Sequence, residues 1–206
     1  QSDYNVLDNL YAYSYDWEGM RISSSHNNNL SDLVGESDSD YGIYLINSND
    51  DILVNVSGVS DSGFGIQLSG SNNNIITNST GSSVSYYGIS LSISDGNNFF
   101  SSFGNSTTSN GFHLSTSFDN NFYDIVSYSY TWEGIRIGDS DNNSFYRINS
   151  TVGDSNDYGI YLRNANGNYF EDCIYINGTP DVRARYSVNI NSNTFLNCTY
   201  DTEIVD

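Results

Sequence analysis

Chemistry on a substrate would need carboxylates that converge, a nucleophile beside a base, or a cation held next to a basic residue. The acidic residues of this chain instead fall in scattered pairs: Asp38 and Asp40, Asp50 and Asp51, Asp139 and Asp141. The run Asp139-Ser140-Asp141-Asn142-Asn143 has the look of the opening of a calcium loop. It lacks the central glycine and the distal bidentate glutamate such a loop requires, so Ca2+ is a weak candidate and no other cofactor is expected. His26, His113 and Met20 are too dispersed for a soft-metal cluster, and both histidines read as ordinary surface residues. Arg183 and Arg185, with Asp181 beside them, fall in one enlarged loop between Cys173 and Val188. That loop is the best place for catalysis, but expanded loops on regular scaffolds more often serve packing or partner contact. No catalytic residue is assigned, and the chain is expected not to be an enzyme.

The elements that would have to position these groups follow from a repeat. Gly42-Ile43-Tyr44-Leu45, Gly65-Ile66-Gln67-Leu68 and Gly88-Ile89-Ser90-Leu91 share one pattern at a spacing of 23, and variants follow at Gly19, Gly111, Gly134 and Gly159. An asparagine column keeps the same period: Asn5, Asn28, Asn74, Asn97, Asn120, Asn143, Asn168 and Asn193, with Asp51 on the remaining rung. Two residues further lies an apolar column, Leu7, Leu30, Leu53, Ile76, Phe99, Phe122, Phe145, Phe170 and Phe195. Within Ile-x-Leu the alternation has period two, which is a strand with one face in a core. Twenty-three residues accommodate three short strands and three bends, so equivalent positions stack at the strand spacing of roughly 4.8 Å. The predicted fold is all-β: a right-handed parallel β-helix, a three-sheet solenoid of about nine coils of 23–25 residues, forming one domain over 1–206 and a rod roughly 40 Å long. The asparagines should pass amide hydrogen bonds along the stack. Ala12, Gly35, Gly58, Gly81, Gly104, Ser127 and Ser150 are taken to mark another bend, and Ser14, Ser37, Ser60, Ser83, Ser106 and Ser129 to form a further ladder rather than nucleophiles.

Gly-Ile-x-Leu followed by Ser-Asn-Asn-x-Ile/Phe resembles the parallel β-helix repeat of pectin-lyase-like proteins, and is most similar to the NosD-type repeats abundant in archaeal surface proteins. The resemblance covers nearly the whole chain and implies the fold. Functionally that fold hosts lyases, hydrolases, adhesins and scaffolds alike. The pectate-lyase and polygalacturonase signatures are absent, and the residues above supply no ligand set for the copper handling that the NosD name suggests.

Composition narrows the partners. With 25 acidic residues against six basic ones, a net charge of −19 repels phosphate backbones and argues against nucleic acid. No apolar run is long enough to span a bilayer, and the chain begins with Gln1, as a processed or fragmentary secreted protein would. The location expected is extracellular, at the cell surface. Sequons stand at Asn29, Asn55, Asn78, Asn105, Asn142, Asn149, Asn177 and Asn197, as many as chance gives in so Asn- and Ser-rich a chain. Of these, Asn55, Asn78 and Asn197 sit two positions past the apolar column and should point outward. Cys173 and Cys198 occupy an inward column on adjacent rungs, within disulfide range.

A longer period lies within the short one. Tyr13-Ser14-Tyr15-Asp16-Trp17-Glu18-Gly19-Met20-Arg21-Ile22 returns five coils later as Tyr128-Ser129-Tyr130-Thr131-Trp132-Glu133-Gly134-Ile135-Arg136-Ile137. This is either a plain duplication or a repeated contact surface of Trp17, Glu18, Arg21 and Trp132, Glu133, Arg136, suited to protein docking or sugar stacking. The reading favoured is a structural subunit of an extracellular filament, sheath or surface layer, a homopolymer built by head-to-tail stacking. A carbohydrate-binding or carbohydrate-degrading domain, or a fragment of an adhesin, is the alternative. Register suggests that Gln1 and Asp206 would leave only the Gly-Ile-x-Leu strand missing at such a junction.

Overall fold

The structure, a computed structural model, describes residues 2–153, 156–185, 193–200 and 203–205. Gln1, Val188 and Asp206, which the loop boundary and the end register invoke, lie outside the described residues.

The chain is a parallel β-helix. Its strands form three stacks, with nine, eight and nine members among the described residues. The first stack holds the apolar column, and its register runs unbroken from Leu7 opposite Leu30 to Phe170 opposite Phe195. The third stack holds Gly-Ile-x-Leu, with Ile43 opposite Ile66 and Ile66 opposite Ile89. The first two stacks are joined at one end, because Val6–Ser14 and Asn29–Ser37 each run through the bend that later coils break. The core is one continuous apolar cluster from Met20 to Ala184. Its spine is a pile of phenylalanines: Phe122 stacks on Phe99 at 5.2 Å and on Phe145 at 4.6 Å, with Phe112 edge-on at 6.1 Å.

The asparagine column is a buried ladder. The Asn74 backbone N–H and Nδ2 both donate to Asn97 Oδ1, at 2.9 and 3.0 Å, and Asn120 does the same to Asn143 at 3.0 Å. Two further ladders escaped the sequence reading. Ser48 N–H donates to Ser71 Oγ, Ser71 N–H to Ser94 Oγ and Ser94 N–H to Ser117 Oγ, each at 3.1 Å. On the outer side of the same bend, Asn72 N–H donates to Asn49 Oδ1, Asp95 N–H to Asn72 Oδ1 and Phe118 N–H to Asp95 Oδ1, each at 2.7 Å. His26 belongs to this series, its Nδ1 accepting from Asn49 N–H at 3.1 Å, so it is a rung and not a free surface histidine.

Three corrections follow. The small-residue column from Ala12 to Ser150 is not a bend but the inward face of the second stack, as in Ser57–Ser60 and Thr80–Ser83. Small residues are needed there because the second and third stacks press together: a Cβ on Gly58 would collide with the Gly65 carbonyl oxygen. Serine is admitted where its hydroxyl turns that collision into a bond, as when Ser127 Oγ donates to Gly134 O at 2.6 Å. Second, Arg183 and Arg185 are not in a loop. Val182–Arg185 is a strand of the third stack, with Val182 opposite Ile160 and Val182 and Ala184 buried. Third, the last rung does have its third-stack strand, Glu203–Val205, paired to Val182–Ala184. Among the described residues that rung shows no second-stack strand. Only six residues lie between Leu196 and Glu203, against eleven between the equivalent Asp8 and Met20, so the last coil is shorter. Tyr200, in that short connection, packs edge-on against Phe195 at 5.5 Å.

Candidate functional site

Bends decide which side chains reach solvent. Two of the three bends turn through residues in the left-handed region: Asn55, Asn78, Asp124 and Asn197 between the first and second stacks, and Asn47, Asn73, Asp119, Asp139 and Asn142 between the third stack and the next first-stack strand. Asn and Asp tolerate that conformation best among residues with a Cβ, which accounts for much of the composition. The sequons at Asn55, Asn78, Asn142 and Asn197 are therefore exposed, as are Asn29 and Asn177. Asn105 and Asn149 are half-buried, and Asn149 Oδ1 is enclosed without a hydrogen-bond partner among the described residues. Cys173 and Cys198 form a disulfide, their Cα atoms 4.5 Å apart.

The calcium-like run does not converge. Asp139 Oδ1 accepts from Asn164 Nδ2 at 2.7 Å, Asp141 Oδ1 accepts from Asn166 N–H at 2.7 Å, and Ser140 and Asn143 are ladder members. Asp181 accepts from Gly178 N–H at 2.9 Å, while Arg183 donates to the Tyr158 hydroxyl and lies over its ring. Among the described residues no three His, Cys, Asp or Glu side chains are grouped to hold a metal.

The duplicated motif forms two matching units. Trp17 and Trp132 are 71% and 48% exposed. Behind them, Arg21 pairs with Glu18 at 3.1 Å and lies over Tyr44, and Arg136 pairs with Glu133 at 3.5 Å and lies over Tyr161. Glu133 is not the surface residue the sequence suggested. It is buried, with Oε2 accepting from Asn110 Nδ2 at 2.6 Å. Between the units, Tyr41, Phe64 and Tyr87 stack at 5.0 and 5.1 Å on the outer side of the third stack, and His113 continues the row at 4.1 Å. His113 is accordingly no ordinary surface group. Burial, reinforced by Arg136, lowers its pKa from 6.5 to about 3, so the ring is neutral. Asp40, on the same flank, is pushed upward by burial and then by the Glu18 charge.

Two clefts lie at the extremities of the described rod. One, of about 270 Å³, opens over Leu7, Ile22 and Leu30 beside Asn5 and Arg21. The other, of about 290 Å³, lies between Ile174–Asn177 and Thr199–Tyr200.

Residues 1–125, more than half of the chain, match the family described as periplasmic copper-binding protein (NosD). The chain belongs to the NosD family. A periplasmic family is consistent with a place in the cell envelope, and among the described residues no helix is long and apolar enough to cross a membrane. No curated protein matches the chain. Among solved structures, the pentapeptide repeat protein HetL from the cyanobacterium Nostoc sp. strain PCC 7120, involved in heterocyst differentiation regulation, aligns over 95% of this chain and 86% of its own. Identity is 10% and the TM-score 0.22, too low for any inference.

Proposed function

We propose that this NosD-family chain is a non-enzymatic structural module of the cell envelope, a β-helical rod whose copies stack end to end into a filament, sheath or surface layer. The observation that carries this reading is the state of the outermost strand edges. Among the described residues, Val6–Ser14 and Met20–Ser23 pair on one side only, as do Thr194–Leu196 and Glu203–Val205. Such edges offer rows of backbone donors and acceptors to another strand. Two of the three stacks can continue across a junction, and the cleft over Leu7, Ile22 and Leu30 would be closed by it. Copper, which the family's description names, finds no donor set among the described residues: Met20 is in the core, His26 Nδ1 is engaged in a ladder and both cysteines are joined.

The test is a proline at Val6. Asn29 N–H donates to Asn5 O, and the same residue in every later coil donates to the coil before it. The Val6 N–H therefore points to the open edge. Val6→Pro removes that donor without breaking a bond inside the chain. Electron microscopy and sedimentation should show polymers for the native chain and none for the variant. Filaments of unchanged subunit spacing from the variant, or native monomers that cleave a glycan, would end the proposal.

A further inference from the structure

The bend between the second and third stacks carries six of the exposed large hydrophobic residues, Tyr15, Trp17, Val84, Tyr86, Tyr130 and Trp132. They lie along one flank of the rod, in coils one, four and six. The charge on that flank is segregated. In coils one to three the bend bears Asp16, Glu18, Asp38, Asp40 and Asp61. In coils four to six it reads Val84-Ser85-Tyr86, Thr107-Thr108-Ser109 and Tyr130-Thr131-Trp132. The only acid that follows there, Glu133, is buried against Asn110 and Arg136. Across coils one to six the ridge thus has an acidic half and a neutral, apolar half, with a tryptophan at each end of that stretch, five rungs or roughly 24 Å apart; beyond it the sequence turns acidic again at Asp154 and Asp157.

We propose that two copies of this chain pack side by side, antiparallel, along this ridge, about a two-fold axis between the third and fourth coils. Under that symmetry coil one meets coil six, two meets five and three meets four. The Tyr15–Trp17 bend lies on the partner's Tyr130–Trp132 bend, and reciprocally, so both aromatic anchors are used twice. Asp38 and Asp40 come opposite the neutral Thr107–Ser109 bend, and Asp61 opposite Val84 and Tyr86. Parallel side-by-side packing would instead set acid against acid across three coils, a heavy cost in a chain of net charge −19. The five-coil duplication then has a physical use: a self-complementary contact needs the same anchor at both of its ends. The contact is on the flank and so is independent of end-to-end stacking; together the two would join filaments in antiparallel pairs.

The experiment is best done in the Val6→Pro background, so that longitudinal polymers do not obscure lateral dimers. Sedimentation over a concentration series should show a dimer that Trp132→Ser weakens about tenfold or more. Thr108→Asp, at an exposed position facing coil two of the partner, should weaken it similarly, and Thr108→Arg should tighten it. Cross-linking fixes the orientation, since the native cysteines are already joined. Asp16→Cys and Thr131→Cys chains should form a disulfide with each other when mixed and none when alone. A chain that stays monomeric up to about millimolar, cysteine variants that couple only to themselves, or a dimer indifferent to Trp132 and Thr108 would overturn the proposal. A monomer held on a polysaccharide matrix through Trp17 and Trp132 would overturn it in favour of a glycan.

Discussion

Asp51 is the one rung of the asparagine ladder that is not asparagine, and replacing it should stabilise the protein. The side chain is fully buried. Its Oδ1 accepts the Asn28 backbone N–H at 2.8 Å and Asn28 Nδ2 at 2.7 Å, as an asparagine oxygen would. The difference lies at the other atom. Where Asn74 and Asn97 pass an N–H on to the next rung, Asp51 presents Oδ2, which has no partner among the described residues, and Asn74 Oδ1 receives only the Asp51 backbone N–H at 2.9 Å. Only the protonated acid could complete the ladder. Burial accordingly raises the Asp51 pKa, outweighing the two Asn28 bonds and the nearby His26 that lower it, while Asp50 adds a little in the upward direction. For a carboxyl raised in the folded state, the stabilising contribution is full below the unfolded pKa of about 3.9 and is lost as pH rises through the folded value. Asp51→Asn restores one hydrogen bond and removes an unpartnered buried oxygen, a gain of about 1–3 kcal/mol at neutral pH. That corresponds to roughly 2–4 °C in Tm per kcal/mol for a chain of this size. Thermal and urea unfolding of both proteins at acid and at neutral pH would measure it, with the difference between them growing as pH rises. A variant less stable than the native chain at neutral pH, or a difference that shrinks with rising pH, would refute the reasoning.

Two other expectations can be checked on the same material. Phe122→Ala opens a void between Phe99, Phe145 and Phe112 and should cost about 3–5 kcal/mol in unfolding experiments, whereas a loss under about 1 kcal/mol would mean the pile repacks freely. The His113 ring should remain neutral well below pH 6, seen as an unchanged C2–H proton shift; its depressed pKa means stability present above about pH 6.5 and lost as pH falls toward 3. Titration near 6.5 would place that ring in water instead.

The fold was legible because stacking repeats one chemical demand many times. Leu7 to Phe195 and Asn5 to Asn193 each answer a single position in space, so the period and the inward face could be read without coordinates. The disulfide followed from the same register. Errors came where a position's demand depends on a neighbouring stack. Gly58 is small because a carbonyl from the third stack faces it, which composition alone renders as a turn. Val182-Arg183-Ala184-Arg185 keeps the inward alternation but not the Gly-Ile-x-Leu letters, so a strand passed for a loop. His113 and Glu133 sit at outward strand and bend positions, yet Tyr87 and Asn110 cover them. Outward in a solenoid is a direction and does not guarantee solvent.

The bond between Cys173 and Cys198 has a mechanical consequence. Among the described residues the other connections between adjacent rungs along the rod axis are hydrogen bonds, ion pairs and packed side chains, apart from the peptide link that climbs once per coil. Tension applied along the axis loads those weak connections one rung at a time, so coils peel open in sequence. The disulfide spans the joint between the rungs of Phe170 and Phe195 directly and carries load that the other joints must share. The rod is therefore graded in toughness, and under an axial pull it yields between its other coils while that joint stays shut.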